Sequence, residues 1–175
     1  MKALRTALLL GCSLSPLLAA ANEHLPAVPA WRGSSEALIQ AKNQPWVTPA
    51  ELTGLNDSPD YAATLSYISK LVDSSELLEL EQFGVSAQGR PLMLVKASKA
   101  LHKIAQNPAR PLLLVQAGIH SGEIDGKDAG LMLLRDIAHG NKAALLANVD
   151  LLFIPVGSPD GHERRSRFNR MNQRG

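Results

Sequence analysis

Two short stretches of this 175-residue chain hold the side chains best suited to chemistry. The first runs Gln116-Ala-Gly-Ile-His120-Ser-Gly-Glu123-Ile-Asp-Gly-Lys127, and His120 and Glu123 within it form His-x-x-Glu. An imidazole nitrogen and a carboxylate oxygen are the donor types that suit zinc with an open catalytic position. Bare spacing leaves two readings: a donor pair, or a loop histidine beside an unrelated helix-start carboxylate. The second stretch is Gly157-Ser-Pro-Asp160-Gly-His162-Glu163. Its Ser158-Pro159-Asp160-Gly161 has turn chemistry, with proline at the second position and glycine free to take a positive φ. It reads either as a turn alone or as a turn that also shapes a cleft. Neither stretch is a phosphate loop or a nucleophile elbow. Gly122 to Asp128 is one residue short and has Asp where a hydroxyl should meet magnesium. Val156 stands where an elbow needs glycine. Arg164, Arg165, Arg167, Arg170 and Arg174 form a basic end. It reads as a solvated tail, as a nucleic-acid contact, or as arginines that hold a substrate carboxylate by bidentate hydrogen bonds.

The elements around these stretches would have to point them at a common cleft. Pro111 to Val115 is a continuous apolar run, expected as a strand buried on both faces. Val149 to Val156 is expected as a second buried strand, with a helix over Asp128–Ala138 between them that stops at Gly140. Strand, helix, strand with apolar strands predicts an α/β fold built on a mixed, largely parallel sheet flanked by helices. Ligands in such sheets gather beyond the carboxyl ends of the strands, where both stretches fall. That position favours the donor-pair reading of His120 and Glu123. Upstream, Tyr61, Leu65, Ile68 and Val72 recur at helical spacing behind Ser58-Pro59, which is expected to cap the helix. Leu77–Phe83 and Leu92–Ala97, separated by Gly84 and Gln88-Gly89, predict an antiparallel hairpin. His162 follows a different strand and has no spacing argument behind it, and His24, His102 and His139 carry no assignment.

Composition limits the partners. The formal charge is +2, and with Lys2 and Arg5 set aside the basic and acidic side chains balance at 16 each. Nucleic-acid binding needs a surplus of Lys and Arg, so no nucleic-acid partner is expected. Residues 1–21 read as a signal peptide: Lys2 and Arg5, an apolar stretch over Ala7–Leu18, then Ala19-Ala20-Ala21 before cleavage near Asn22. The stretch is too short and too interrupted by Ser13, Ser15 and Pro16 to span a bilayer, and no other segment is long enough. The protein is therefore expected to be exported, to the periplasm or outside the cell, with lipid attachment at Cys12 as the rival reading. Cys12 is the only cysteine, so the mature part offers no thiolate and no disulfide. Residues 22–57, punctuated by prolines, are expected to be an N-terminal extension with one short helix.

Taken in order, Gln88-Gly89-Arg90-Pro91-Leu92, Ala117–Glu123, Ser158–Gly161 and Phe168-Asn169-Arg170-Met171 resemble the zinc carboxypeptidases of the M14 metallopeptidase family. The likeness runs from about Asp57 to the last residue. It implies that residues 58–175 are the N-terminal part of a zinc-carboxypeptidase-like catalytic domain, incomplete here. It further implies a zinc cofactor with His120 and Glu123 as its first two ligands, and Arg170 as a substrate-binding arginine. The implied substrate is a peptide that loses its C-terminal residue. Three departures stand out. Ser158 replaces the family's usual asparagine. Gln173 occupies the place of a carbonyl-polarising arginine. No counterpart of the third histidine ligand or of the catalytic glutamate precedes Gly175, so the general base is expected beyond it. The chain is thus expected to be the front part of a longer enzyme or a truncated gene product, inactive alone. Two alternatives remain: a zinc deacylase of N-acyl amino acids of the aspartoacylase type, and a non-catalytic exported binding module.

Overall fold

The computed structural model describes residues 33–104, 106 and 108–164. The expected signal peptide, Cys12, Arg170 and the arginines around it lie outside the described residues. The chain divides into two compact units, Met1–Glu36 and Ala37–Gly175, and every element discussed below belongs to the second. Residues 37–57, expected within an N-terminal extension, therefore lie in the same unit as the sheet.

Four strands form one mixed sheet in the order β1-β2-β4-β3: β1 Leu78–Val85, β2 Pro91–Ala97, β3 Leu112–Gln116 and β4 Asp150–Ile154. The predicted hairpin is β1–β2, antiparallel, with a register shift between Gln82 and Gly84. β2 pairs antiparallel with β4, and β3 pairs parallel with β4 from Leu112↔Asp150 to Gln116↔Ile154. The mixed sheet is as expected, but its parallel share is smaller: one of the three described pairings. The hairpin supplies the remainder, because strands joined by a tight turn must run antiparallel.

Helix α1 is Pro49–Leu52, α2 is Tyr61–Val72, α3 is Asp125–Ala138 and α4 is Pro159–His162. α2 and α3 cover one face of the sheet. Ile68, Leu71, Leu131, Leu134 and Ile137 pack there with Leu78, Val95, Ala97, Leu151 and Phe153. Register explains this side: Leu78 faces Ala97, Val95 faces Phe153 and Ala97 faces Leu151, so the buried residues alternate along each strand onto a common surface. The α2 stripe is turned by about a residue from the expected one, with Thr64, Tyr67 and Leu71 buried beside Tyr61 and Ile68. Its cap is Asp60 rather than Ser58. The Asp60 carboxylate accepts the Ala63 amide at 2.7 Å, while the Pro59 carbonyl takes Lys127 Nζ.

β3 departs furthest from expectation. Every residue of it is exposed, including Leu113 at 52% and Leu114 at 58%. It lies at the edge of the described sheet with β4 as its one strand neighbour. A continuous apolar run marks a strand able to be buried on both faces; the cover itself has to come from other elements, and the described residues supply little of it.

Candidate metal centre

Because β3 and β4 are parallel, their carboxyl ends open on the same side of the sheet, and the two stretches with chemistry meet there. The Gly157 amide donates to the Ala117 carbonyl at 2.8 Å and the Ser158 amide to the Gly118 carbonyl at 2.9 Å. Ser121 Oγ donates to the Gly161 carbonyl at 2.8 Å. Close approach requires the glycine at 118. Its φ is +56°, and a Cβ there would lie 3.1 Å from the Val156 backbone. Ser158-Pro159-Asp160-Gly161 reverses the chain after β4 as expected, but as the first turn of a helix: Pro159 opens α4, the His162 amide donates to the Ser158 carbonyl at 2.9 Å, and Gly161 does not take the expected positive φ. It braces the His120 loop.

His120 and Glu123 lie together at the tip of that loop, both open to solvent, with side-chain exposures of 63% and 39%. Glu123 Oε2 is 3.1 Å from His120 Nδ1 and accepts the His120 amide at the same distance. Two donors on one tetrahedral zinc, at bond lengths of about 2.0–2.2 Å, are separated by roughly 3.3 Å. At 3.1 Å the two side chains are within hydrogen-bond distance of each other, a separation that a shared ion would need to change only slightly, and their donor types fit the first half of a zinc site. Among the described residues no group of three or more His, Cys, Asp or Glu side chains comes together as a metal site. His162 is buried, and its Nδ1 is 3.3 Å from Glu163 Oε1.

Spacing did not disclose the contacts of Asp160. Its Oδ1 accepts from Ser86 Oγ at 2.8 Å and Arg90 Nη1 at 2.6 Å, and its Oδ2 accepts the Gln88 amide at 3.0 Å. Burial alone would raise this carboxyl. The hydrogen bonds from Arg90, Ser86 and Gln88 outweigh it and hold the group below the usual carboxylate range. No sequence signal joins residues some 70 positions apart; Gln88, Arg90 and Asp160 stand in motifs visible separately, and Ser86 stands in none. On the other flank, buried Lys127 donates to the Pro59 carbonyl and to Thr64 Oγ1 at 3.4 Å, and its Nζ is 3.4 Å from Asp128 Oδ1. Burial pushes the Asp128 carboxyl up, against the pull of Lys127. These contacts pin the first turn of α3, directly after Glu123, to the start of α2.

Comparison with known proteins identifies the family and the fold. The model of the peptidase M14 family, described as zinc carboxypeptidase, matches residues 64–175. Carboxypeptidase 2 of Trichophyton rubrum is 33% identical over 102 residues, covering 54% of this chain and 18% of that protein. Among solved structures, carboxypeptidase A from Helicoverpa armigera superposes with a TM-score of 0.56 at 21% identity, over 62% of this chain and 26% of that one. Bovine thrombin-activatable fibrinolysis inhibitor, solved with tick carboxypeptidase inhibitor, gives 0.55 at 21% identity, over 66% and 36%. The chain thus spans about a fifth of the curated relative's length, and the shared fold is that of the solved carboxypeptidases. With the match to the family model covering well over half the chain, the protein belongs to the zinc carboxypeptidase family, peptidase M14.

Proposed function

We propose that this chain carries the first two donors of a catalytic zinc site in an exported metallocarboxypeptidase that removes C-terminal residues from peptides. The observation that carries the reading is the His120–Glu123 pair. Its donor atoms are 3.1 Å apart, solvent-accessible, and held at the carboxyl ends of the parallel strands. In this reading His120 and Glu123 hold zinc, and the Ser158–Gly161 turn fixes the loop that bears them. Arg170 belongs to the substrate-binding cleft, where its planar fork of donors can hold a polar group of the peptide. When bound, zinc supplies Lewis-acid polarisation of a scissile carbonyl at neutral pH. The positive start and apolar run of residues 1–21 support export. A catalytic zinc normally takes three protein ligands, so two donors make a half-site, and the chain by itself is expected to bind the ion weakly and to hydrolyse no peptide.

Zinc titration of the purified chain, beside His120→Ala and Glu123→Ala, tests this. The expected result is about one weakly held ion, lost in both variants, with melting temperatures close to that of the parent. Equal zinc binding by all three proteins would remove the assignment.

A further inference from the structure

We infer that Arg90, together with Ser86, is a positioning residue for the metal-binding loop and acts on it through Asp160. The functional weight of this inference rests on the proposed zinc site, but the contacts that carry it are independent of any ion. Three groups that donate to the Asp160 carboxylate come from one hairpin turn: Arg90 Nη1, Ser86 Oγ and the Gln88 amide. That turn is organised to present them. Gly89 takes φ +80°, the Gly89 amide donates to the Ser86 carbonyl at 3.0 Å, and the Ser86 amide donates to the Arg90 carbonyl at 2.8 Å. Ser86 Oγ accepts the Arg90 amide at 3.0 Å while donating to Asp160, and the same Arg90 Nη1 reaches Gln88 Oε1 at 2.8 Å.

The link matters because of where the turn lies. The β1–β2 turn is separated from β3 by β4 in the sheet, and β2 pairs with β4 only over Val95–Ala97, at the end of β2 away from the turn, so the ladder links the turn to the His120 loop only indirectly. α4 is a single turn whose N-cap side chain, Ser158, makes no capping hydrogen bond. A helix that short has little stability of its own. Its position is set from outside, by Asp160 on the hairpin and by Glu163, whose Oε1 accepts the Tyr61 amide at 2.8 Å. From α4 the constraint passes to the metal loop through the Ser121–Gly161, Ser158–Gly118 and Gly157–Ala117 hydrogen bonds. Arg90 suits the task because a guanidinium holds a fixed direction where an ammonium would not.

Residue-resolved amide hydrogen exchange on the whole chain tests the inference, with Arg90→Met, Ser86→Ala, Arg90→Lys and Lys96→Met compared with the parent. Lys96 pairs with Glu79 and Glu81 on the same hairpin but does not touch Asp160, so its variant is the control. The reporters are the Gln88 amide for the clamp itself and the Gly157 and Ser158 amides for the junction with the metal loop. Losing a charge-assisted hydrogen bond is expected to speed exchange at all three by about tenfold or more in Arg90→Met. Ser86→Ala should act in the same direction and Arg90→Lys should recover part of the protection, with β2 amides unchanged throughout. Lys96→Met should leave the three reporters alone. Faster exchange at Gln88 with Gly157 and Ser158 unmoved would overturn the inference, and so would a uniform rise over the whole sheet. Zinc binding by the parent and by His120→Ala is read separately. If those two bind alike, the metal-site reading fails while the exchange result stands or falls on its own.

Discussion

Glu51 is the residue with the most demanding surroundings. It is 1% exposed and bears a charge, and both its oxygens face Arg135 Nη1, at 2.8 and 2.7 Å. Its Oε1 also accepts the Gln40 amide and its Oε2 the Thr48 amide, closing a capping box on α1 with Thr48 Oγ1. Burial by itself would raise the carboxyl. The hydrogen bonds from Gln40, Arg135 and Thr48 outweigh it, so its pKa is lowered. Removing one member of such a pair leaves a buried charge alone, and Glu51→Gln is expected to cost about 3 kcal/mol near neutral pH by urea unfolding. The pH dependence has a definite sign. A carboxyl whose folded pKa lies below its unfolded value, about 4.3, stabilises fully above that value and loses its contribution as pH falls through the folded one. The gap between parent and Glu51→Gln should therefore narrow below about pH 4. Asp128, raised by burial, works in the opposite sense in both proteins and drops out of the difference.

For the elements, the seating of α3 on the sheet depends on one missing side chain. A Cβ on Gly130 would stand 2.7 Å from Phe153 Cε1 and closer still to Cζ, so the glycine lets the helix lie against the ring. Gly130→Ala would gain up to about 1 kcal/mol of helix propensity. Overpacking against a buried aromatic costs about 1–3 kcal/mol, so net destabilisation is expected. The clash is with a single ring, and the two changes should therefore be non-additive: Gly130→Ala with Phe153→Leu should lose less than the sum of the single losses. A double-mutant cycle by denaturant unfolding measures that coupling, and additive losses would mean that α3 settles elsewhere.

For the whole described unit, the open side of the sheet is the dominant feature. β3 presents Leu112, Leu113, Leu114 and Val115 to solvent, between 37% and 58% exposed. Beside it an apolar recess of about 220 Å³ is lined by Val115, Ala129, Leu133 and Phe153 among others. An exposed apolar edge strand is a template for pairing with another chain. The isolated chain is therefore expected to self-associate with rising concentration in sedimentation velocity. Leu114→Lys should shift association to higher concentration while changing stability by no more than about 0.5 kcal/mol, because the side chain is already largely in water. Association unaffected by this change would place the sticky surface elsewhere.

The sequence by itself determined whatever is local or carried by fixed spacing. The α2 span, the β1–β2 hairpin, the two apolar strands and the turn at Ser158–Gly161 were legible because period, proline and glycine act over a few residues. His120 and Glu123 were legible as a pair because three residues of loop keep them together. Thr48-Pro-Ala-Glu51 also carries a capping-box pattern, and the structure closes it. Tertiary structure alone decided which strand faces solvent, since apolar β3 and apolar β4 read alike until their neighbours are known. It also decided that Asp160 closes on Arg90, that Glu51 closes on Arg135 and that Lys127 is buried. These contacts bring together residues some 63 to 84 positions apart, and chain composition holds no record of such encounters because they are set by how the helices and strands pack.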